Sequence, residues 1–351
     1  MKNPVHPERL SAIVKNGRIV YIKGLGVKSA ESGDPIDIHT AFRIASVSKT
    51  FAGVLTSKLV SQGKLDWEDP VQKYVPDFQL QNPDYASLMK IKHILSQSTG
   101  LVQHAYTNYI EIGKDYDFMF KSLKEVQLIA PPGKIFTYQN LVFSAIEPVI
   151  KSATGSDYTE MLKREIFEPL NMTDASIDYA SMMANENKAF PLMPRKTGWK
   201  DSKIEDSYYV VASAGGVNAS ISDMANYMIA LTGHRPQVIS EKMLQDIFTP
   251  QISTDIRWRY FSKWKAYKKS YYGLGWRVVE NGNSTIAYHG GYVNGYRSQL
   301  AVNKADDIAI CVLTNSPSDY SSDLIPAFLK LFDEQKEEII AEMNPAVSMA
   351  Q

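Results

Sequence analysis

The sequence predicts an α+β fold in which one antiparallel sheet is built from both ends of the chain and flanked by helices. Short β-like runs joined by tight turns occupy the N-terminal end and the region from residue 272 to residue 314, while helical patterns dominate between them. We expect a single unit over residues 1–351, with an α/β lobe from roughly 1–60 and 240–351 and a mostly helical lobe over roughly 61–239.

The N-terminal strands are predicted to form a hairpin. β-like runs over 11–15 and 18–23 flank Asn16-Gly17, a pair of residues that strongly favours a two-residue hairpin turn. A polar loop over 29–39 then leads to the first helix.

The first predicted helix carries a serine and a lysine, Ser46 and Lys49, three residues apart at its start. Gly63 stands where a C-terminal cap is expected. Apolar residues between them recur at helical spacing: Val47, Phe51, Val54, Leu55 and Leu59. If the helix begins at Ser46, a hydroxyl, an amine and the positive end of the helix dipole lie together, as an activated nucleophile requires. On spacing alone Ser46 equally fits an ordinary helix cap, because Ser-x-x-Lys recurs at Ser61 and Ser262.

The middle of the chain is predicted to be helical, with breaks at proline and glycine. We expect a kink at Pro148, a mostly irregular and polar connection over 172–210, and a flexible bend at Gly215-Gly216. Helices are predicted over 65–76, 89–95, 141–153, 158–166 and 220–231.

The C-terminal end is predicted to hold four strands and a long helix. Asn- and Asp-containing turns separate the first two strands and the last two. An amphipathic helix from about residue 322 to residue 343 closes the chain. The strands are predicted over 272–279, 285–289, 296–302 and 308–314.

Composition and charge are those of an ordinary globular protein. Lys plus Arg and Asp plus Glu number 38 each, so the formal net charge is zero, and nothing in that balance favours nucleic acid or an anionic membrane as a partner. The basic, aromatic run over 257–269 is the local exception, and we expect a solvent-exposed flap with a few packed rings. Cys311, the only cysteine, lies in an apolar run and is expected to be a buried, inert thiol.

The motifs of metal and nucleotide sites are missing from the sequence. The histidines are scattered, there is no His-Glu-x-x-His or Cys-x-x-Cys, and Gly24-Leu-Gly26 is too little for a nucleotide loop. We therefore expect no cofactor and no metal. No apolar run is long enough for an integral membrane segment, and the oligomeric state is left open.

Three motifs in a fixed order resemble the class C β-lactamase-like serine hydrolases: Ser46-Val-Ser-Lys49, Tyr138-Gln-Asn140 and His289-Gly-Gly291. That family includes β-lactamases, penicillin-binding D,D-peptidases, D-aminopeptidases and esterases. The resemblance runs over nearly the whole chain and implies a β-lactamase/transpeptidase-like fold for one catalytic unit. Four further stretches support it: residues 95–101, 132–138, 215–217 and 272–276.

By that resemblance, the catalytic residues are Ser46, Lys49 and Tyr138. Ser46 would be the nucleophile that becomes acylated, and Lys49 and Tyr138 would share the transfer of its proton. A lysine whose pKa is lowered and a tyrosinate near cations both qualify as the base, so that choice stays open. Taken alone, Tyr138 also fits a plain core tyrosine.

The resemblance also implies the residues that bind substrate: Asn140, His289, Gly291 and Tyr292. Asn140 would hydrogen-bond Lys49 and the substrate amide, although it also fits the N-cap of a helix beginning at Leu141. The N–H groups of Ser46 and Tyr292 would form the oxyanion hole. Glycines at 290 and 291 would let a peptide-like substrate approach closely and pair with the strand.

His289 departs from the Lys-Thr-Gly pattern of the third β-lactamase motif. A histidine is mostly neutral at neutral pH, so we expect slow cephalosporin hydrolysis and a preference for peptidase or esterase turnover. A packed strand residue is the alternative interpretation.

Two other stretches match motif letters but not their context. Lys196-Thr197-Gly198 spells the third motif, yet it lies in a proline-bounded polar stretch with no strand pattern around it, and we expect a surface loop there. Tyr106-Thr107-Asn108 fits the second motif but lacks the Pro-Gly lead-in that precedes Tyr138.

The sequence therefore predicts a serine hydrolase that acts through an acyl-enzyme on an amide or ester: a D-amino acid peptide, an ester or a β-lactam. Two alternatives are a non-catalytic penicillin-binding or sensor protein that keeps the fold, and a true class C β-lactamase. The expected partner is a small-molecule or peptide substrate. The family resemblance implies a periplasmic or secreted protein, although the N-terminus shows no signal peptide and a cytoplasmic location stays open.

Overall fold

The sheet predicted from the two ends of the chain is present in the computed structural model, which describes residues 9–343 apart from residues 197, 258, 283 and 318–320. Eight strands form one antiparallel sheet in the order β2-β1-β12-β11-β10-β9-β8-β7, and two short antiparallel pairs, β3-β6 and β4-β5, lie outside it. The strands are β1 (Arg9–Lys15), β2 (Arg18–Leu25), β3 (Phe42–Arg43), β4 (Leu192–Arg195), β5 (Gly198–Asp201), β6 (Asn218–Ala219), β7 (Ile252–Thr254), β8 (Lys269–Tyr272), β9 (Arg277–Glu280), β10 (Thr285–Val293), β11 (Tyr296–Asn303) and β12 (Ile308–Thr314).

The helices lie mostly between the two sets of strands. They are α1 (Ser48–Ser61), α2 (Pro83–Leu88), α3 (Ile91–Leu95), α4 (Thr107–Glu111), α5 (Tyr116–Lys121), α6 (Ile146–Thr154), α7 (Tyr158–Leu162), α8 (Tyr179–Ala184), α9 (Ala212–Gly215), α10 (Ile221–Leu231), α11 (Glu241–Phe248) and α12 (Ser321–Met343). A π-helical turn, Lys163–Phe167, follows α7, and 3₁₀ turns include Ala45–Val47, Phe143–Ala145 and Tyr209–Val211.

The N-terminal hairpin is confirmed. Asn16 and Gly17 both have positive φ, 52° and 68°, as a two-residue turn matched to the strand twist requires. β1 then pairs with β12, so the first and last strands of the chain meet inside the sheet.

The predicted strand over 272–279 is wrong, because two strands, β8 and β9, replace it. The chain turns between them at Gly273–Trp276, where Gly275 has a φ of +83°. A Cβ on Gly275 would lie 2.3 Å from the carbonyl oxygen of Lys49, so this turn docks directly on the backbone of α1.

Two helix boundaries also differ from prediction. α1 begins at Ser48 rather than at Ser46, which lies in the preceding 3₁₀ turn. α6 begins at Ile146, so Pro148 falls in the first turn, where no intrahelical hydrogen bond is lost and no kink is needed.

The connection over 172–210 is more ordered than predicted, since it contains α8 and the β4-β5 pair. Pro194 lies within β4, a strand of this two-stranded pair, where its missing N–H is tolerated.

Both faces of the sheet are covered. α10 packs on β1 and β12, and α12 packs on β11 and β12. Alternate residues of β12 therefore face different cores: Cys311 belongs to the larger one, which contains α1 and α10, and Val312 to the smaller one beneath α12. The buried position predicted for Cys311 is confirmed.

The smaller core also explains the basic, aromatic run. Phe261, Trp264 and Tyr267 are buried against the sheet, whereas the lysines between them are exposed. The predicted flap with packed rings is confirmed for the described part of this run.

Candidate active site

Ser46 lies in a strained turn at the start of α1. The preceding residue, Ala45, has a φ of +48°, a left-handed conformation that residues with a Cβ rarely adopt and that often marks functional sites. The turn is held from outside by Ser298, whose hydroxyl donates to the carbonyl of Ile44 at 2.5 Å. Tertiary contacts, not helix propensity, therefore set the position of Ser46.

Lys49 is fully buried on the first turn of α1. Its Nζ donates to Asn140 Oδ1 at 2.8 Å and to the carbonyl of Ala214 at 2.8 Å, and lies 3.5 Å from Ser46 Oγ. Burial, and to a lesser degree the charge of Arg277, lowers the pKa of Lys49 well below its usual value. A neutral amine would satisfy both acceptors with its two N–H bonds and keep its lone pair for the proton of Ser46.

Tyr138 contacts Ser46 as well, and its ring centre lies 4.8 Å from Lys49 Nζ. It is 8% exposed, and its hydroxyl shares a hydrogen bond with the Ser46 side chain. Burial raises the pKa of Tyr138, although Arg277 and the bond to Ser46 partly oppose that rise. The phenol therefore holds its proton at neutral pH, and Lys49 is the better placed of the two to act as the base.

The segment that carries Tyr138 and Asn140 is held by Gln97. The Gln97 side chain donates to the carbonyl of Gln139 at 2.9 Å and accepts from its N–H at 2.6 Å. Because α6 begins at Ile146, the alternative in which Asn140 caps a helix at Leu141 is wrong, and its amide oxygen binds Lys49 instead.

His289 lies beneath the floor of the cleft and is fully buried. Its Nδ1 donates to the carbonyl of Gly290 at 3.0 Å, so its Nε2 accepts from the Tyr272 hydroxyl at 3.0 Å. Burial, Arg277 and Lys49 lower the pKa of His289 well below its usual value. The ring is thus neutral and supports Tyr272 and Gly290, and a contact between His289 and substrate stays a prediction.

Gly291 is required by the close packing of β10 on the turn that carries Ser46, and its role in substrate approach stays a prediction. A Cβ there would lie 2.5 Å from the carbonyl oxygen of Ile44 and 2.9 Å from the Cβ of Ala45, so a side chain would push β10 away from the turn that carries Ser46. The absence of a side chain at Gly291 therefore lets β10 pack closely against the turn that carries Ser46.

Tyr292 is half-exposed and lines the cleft. Backbone N–H groups two residues apart in a strand point the same way, so the N–H of Tyr292 is parallel to that of Gly290. The Gly290 N–H points away from β11, toward the edge of β10 that β11 does not cover. The strand backbone therefore directs the Tyr292 N–H to the side expected for an oxyanion hole shared with Ser46.

Arg277 is a residue of the site that the sequence did not reveal. Its guanidinium is 6% exposed and lies among aromatic rings, 4.0 Å from the ring centre of Tyr260 and 5.2 Å from that of Tyr138. Its Nε and Nη1 are buried without a hydrogen-bond partner among the described residues, and no ion pair within that part of the chain neutralises it. It is a buried cation beside Tyr138.

These groups surround a cleft of about 320 Å³ in which none of the described lining residues is acidic. His104 and Tyr208 also line it, both with left-handed backbones (φ of 59° and 69°) that no sequence pattern signalled. The described lining residues are Ala45, Ser46, Gln103, His104, Thr107, Phe136, Tyr138, Asn140, Tyr208, Tyr260, Arg277, Gly290, Tyr292 and Val293.

In neither of the two rejected motifs does the tyrosine or the lysine contact Ser46. Lys196 is exposed at the turn between β4 and β5, so the predicted surface position is confirmed, although strands do flank it. Thr197 lies outside the described residues. The Tyr106 hydroxyl donates to the carbonyl of Ser122, away from Ser46.

Among the described residues the structure offers neither a metal site nor a membrane-spanning helix. No three His, Cys, Asp or Glu side chains in that part of the chain are placed to hold a metal ion. Of the helices it contains, none combines the length and the apolar character that crossing a membrane requires.

Sequence relatives resemble the chain over most of its length. Unguisins hydrolase ungD' of Aspergillus campestris is 25% identical over 338 residues, which cover 90% of this chain and 60% of that protein. Protein flp of Staphylococcus aureus strain COL is 22% identical over 319 residues, covering 89% of this chain and 60% of that protein. The chain thus spans about 60% of the length of these relatives.

A solved structure shows the same fold. The octameric penicillin-binding protein homologue from Pyrococcus abyssi superposes with a TM-score of 0.77 at 23% identity, over 89% of this chain and 70% of that chain. The predicted β-lactamase/transpeptidase-like fold is confirmed by this likeness. The family model named Beta-lactamase matches residues 10–331, which is most of the sequence, and the chain therefore belongs to the beta-lactamase family.

Proposed function

We propose that the protein is a serine hydrolase that forms an acyl-enzyme on Ser46 and acts on amides or esters whose leaving group carries a carboxylate. The observation that carries this proposal is the contact of Ser46 with both a buried lysine of lowered pKa and a protonated tyrosine. A hydroxyl needs such a base to become a nucleophile, and a leaving group needs such an acid.

In the acylation step, Ser46 Oγ attacks the substrate carbonyl carbon while Lys49 takes the hydroxyl proton. The oxyanion that forms accepts from the N–H groups of Ser46 and Tyr292. The carbonyl π bond re-forms as the bond to the leaving group breaks, and Tyr138 gives its proton to the leaving nitrogen or oxygen. Lys49 then returns a proton to Tyr138 through a water molecule, which restores both groups.

In the deacylation step, a water molecule attacks the acyl carbon and gives one proton to the same pair of groups. The bond between Ser46 Oγ and the acyl carbon breaks, and that proton passes to Ser46 Oγ. The products are the free acid and the starting enzyme, so no cofactor enters the balance.

Arg277 supports the substrate class. A carboxylate is the group that best matches a buried guanidinium without an acidic partner among the described residues. Because Arg277 lies beside Tyr138, which protonates the leaving group, this carboxylate belongs to the leaving group. Peptides that end in a D-amino acid, their ester analogues and β-lactams meet that requirement. The neutral His289 favours the first two over rapid cephalosporin hydrolysis.

The relatives agree with hydrolysis. One is named a hydrolase and a similar structure is named a penicillin-binding protein homologue. Since the chain spans only part of the sequence relatives' length, the activity of those whole proteins is not transferred to it.

A panel of substrates tests the proposal. Nitrocefin, a D-Ala-D-Ala peptide and short nitrophenyl esters are compared on wild type and on Ser46→Ala. We expect turnover of the peptide or its ester analogue that is lost in Ser46→Ala, and slower turnover of nitrocefin. A stable acyl adduct that is never released would instead identify the non-catalytic penicillin-binding alternative. Nitrocefin turnover near the diffusional ceiling of about 10⁸ M⁻¹s⁻¹ would identify a true β-lactamase.

Arg277→Gln tests the substrate class separately. The two substrates are acetyl-glycyl esters of D-lactate and of D-lactamide, which share the scissile ester but differ in the leaving-group charge. We expect kcat/KM for the lactate ester to fall about 100-fold more than that for the lactamide ester, whose smaller loss reflects the rise in the pKa of Lys49 when the charge of Arg277 is removed. Equal losses on both esters would contradict the carboxylate assignment.

A further inference from the structure

Tyr260 reaches the cleft from the loop between β7 and β8. Its ring lies over the guanidinium of Arg277, 4.0 Å from ring centre to Cζ, and it is 40% exposed. Its hydroxyl oxygen accepts the N–H of Gly290 at 3.1 Å. A loop residue is therefore hydrogen-bonded to the strand that borders the catalytic groups.

The bonded N–H lies on an uncovered part of the strand edge. β9 pairs with β10 only as far as Tyr288, which lies opposite Arg277. From Gly290 onward, the side of β10 that faces away from β11 has no described strand partner, and this is the edge on which a substrate is expected to lie. Tyr260 occupies the first N–H group of that edge.

The hydroxyl also fills the space of a missing side chain. A Cβ built on Gly290 would lie 2.9 Å from Tyr260 Oη and 2.9 Å from Tyr288 Oη. Gly290 is the middle residue of His289-Gly-Gly291, where the Lys-Thr-Gly form of this motif has a threonine. The motif of this chain has no hydroxyl at that position, and the loop places one within contact distance of the same backbone position.

We propose that Tyr260 supplies the hydroxyl that the third motif lacks, and that with Arg277 it forms a two-donor subsite for the carboxylate of the leaving group. This inference rests on the proposed acyl-enzyme function and assigns a specificity-determining residue to it. The subsite combines a fixed cation with a directed O–H donor, as carboxylate recognition favours.

The hydrogen bonds around Tyr260 leave its proton for a ligand. A phenol oxygen accepts up to two hydrogen bonds, and the Gly290 N–H provides one of them. Burial raises the pKa of the neighbouring Tyr288, and a hydrogen bond shared with Tyr260 raises it further, the direction expected where Tyr288 donates. The O–H of Tyr260 is then left for a third partner, and Tyr260 lines the cleft.

The test compares Tyr260→Phe with wild type on the acetyl-glycyl esters of D-lactate and D-lactamide. The substitution keeps the ring over Arg277 and removes the hydroxyl alone. We expect kcat/KM for the lactate ester to fall about 10-fold or more, as for loss of a hydrogen bond to a charged group, with less than about a twofold change for the lactamide ester. Tyr271→Phe, on β8 and outside the cleft lining, is the matched control and should change neither.

Equal losses on both esters, or no loss on the lactate ester, would overturn the role of Tyr260. A second readout does not need turnover: D-alanine should slow fluorophosphonate labelling of Ser46 more than D-alaninamide does, and Tyr260→Phe should remove that difference. If Ser46 is labelled but D-alanine and D-alaninamide protect wild type equally, the subsite is refuted and the acyl-enzyme proposal survives. If Ser46 is not labelled at all, both proposals fail.

Discussion

The carboxyl group of Glu147 is connected to Lys49 by hydrogen bonds through Ser213 and Ala214. Glu147 lies on α6, and its Oε1 accepts from both the backbone N–H and the hydroxyl of Ser213, at 2.8 Å and 2.7 Å. Ser213 precedes Ala214, whose carbonyl binds Lys49 Nζ at 2.8 Å. Burial raises the pKa of Glu147 to about 7 from an ordinary value of 4.5.

A raised carboxyl pKa makes the folded state less stable as pH rises. Between about 4.5 and 7 the folded protein binds this proton and the unfolded chain does not, so the free energy of unfolding falls with pH across that window. At about 1.4 kcal/mol per pH unit the loss is at most about 3.5 kcal/mol. Because Glu147 lines an open cavity, solvent screening reduces the expected loss to about 1–2 kcal/mol.

Glu147→Gln keeps an oxygen to accept from Ser213 and removes the titrating group. We expect the variant to be more stable than wild type by about 1–2 kcal/mol at pH 8, with that advantage disappearing near pH 4.5. Urea unfolding at the two pH values measures the difference. Glu160→Gln, an exposed neighbour on the same cavity, is the control. A stability difference between Glu147→Gln and wild type that is the same at both pH values would refute the reasoning.

Substitutions in and near the candidate site, and the pH dependence of its activity, give three further tests. Lys49→Ala and Tyr138→Phe should each lower ester kcat/KM by at least about 100-fold, whereas Lys196→Ala should stay within about twofold; a comparable loss in Lys196→Ala would show that the third motif is misplaced. In a pH–rate profile, kcat/KM should rise with pH through a midpoint well below 10.5, because burial lowers the pKa of Lys49 and its neutral form is the base; a midpoint near 10.5 would contradict that role. Gly275→Ala should lower both the melting temperature and activity, because its Cβ would lie 2.3 Å from the Lys49 carbonyl oxygen. Gly63→Ala is the control, since Gly63 has a similar positive φ but open space around it. It should lower the melting temperature only slightly and leave activity unchanged.

The side chains of the candidate active site could be predicted because the residue types of the three motifs themselves indicate the chemistry. Ser46, Lys49, Tyr138 and Asn140 are brought together as the order of the motifs implied. The turn that presents Ser46 could not be predicted, since the left-handed Ala45 is held by contacts with β10 and β11 that lie far away in sequence.

Arg277 and Tyr260 escaped prediction for a related reason. Arg277 follows Tyr272-Gly-Leu-Gly-Trp276. A single strand predicted over 272–279 does not distinguish the Arg277 side chain from those of its neighbours or place it in the cleft. The Gly273–Trp276 turn, which docks on α1, starts a new strand at Arg277 and turns that residue into the cleft. Tyr260 belongs to a run whose basic residues suggested a solvated flap, and only the fold brings it to Gly290.

The identity of the serine that becomes acylated is the most direct test of the proposed acyl-enzyme mechanism. The measurement is peptide mass spectrometry after reaction with a fluorophosphonate, on wild type and on Ser46→Ala. We predict a single adduct on the peptide that contains Ser46 and none in the variant. Of the four Ser-x-x-Lys serines, at positions 46, 61, 87 and 262, only Ser46 contacts a buried lysine and a protonated tyrosine in the described structure. An adduct on Ser61 or Ser262, or labelling that survives in Ser46→Ala, would contradict the assignment.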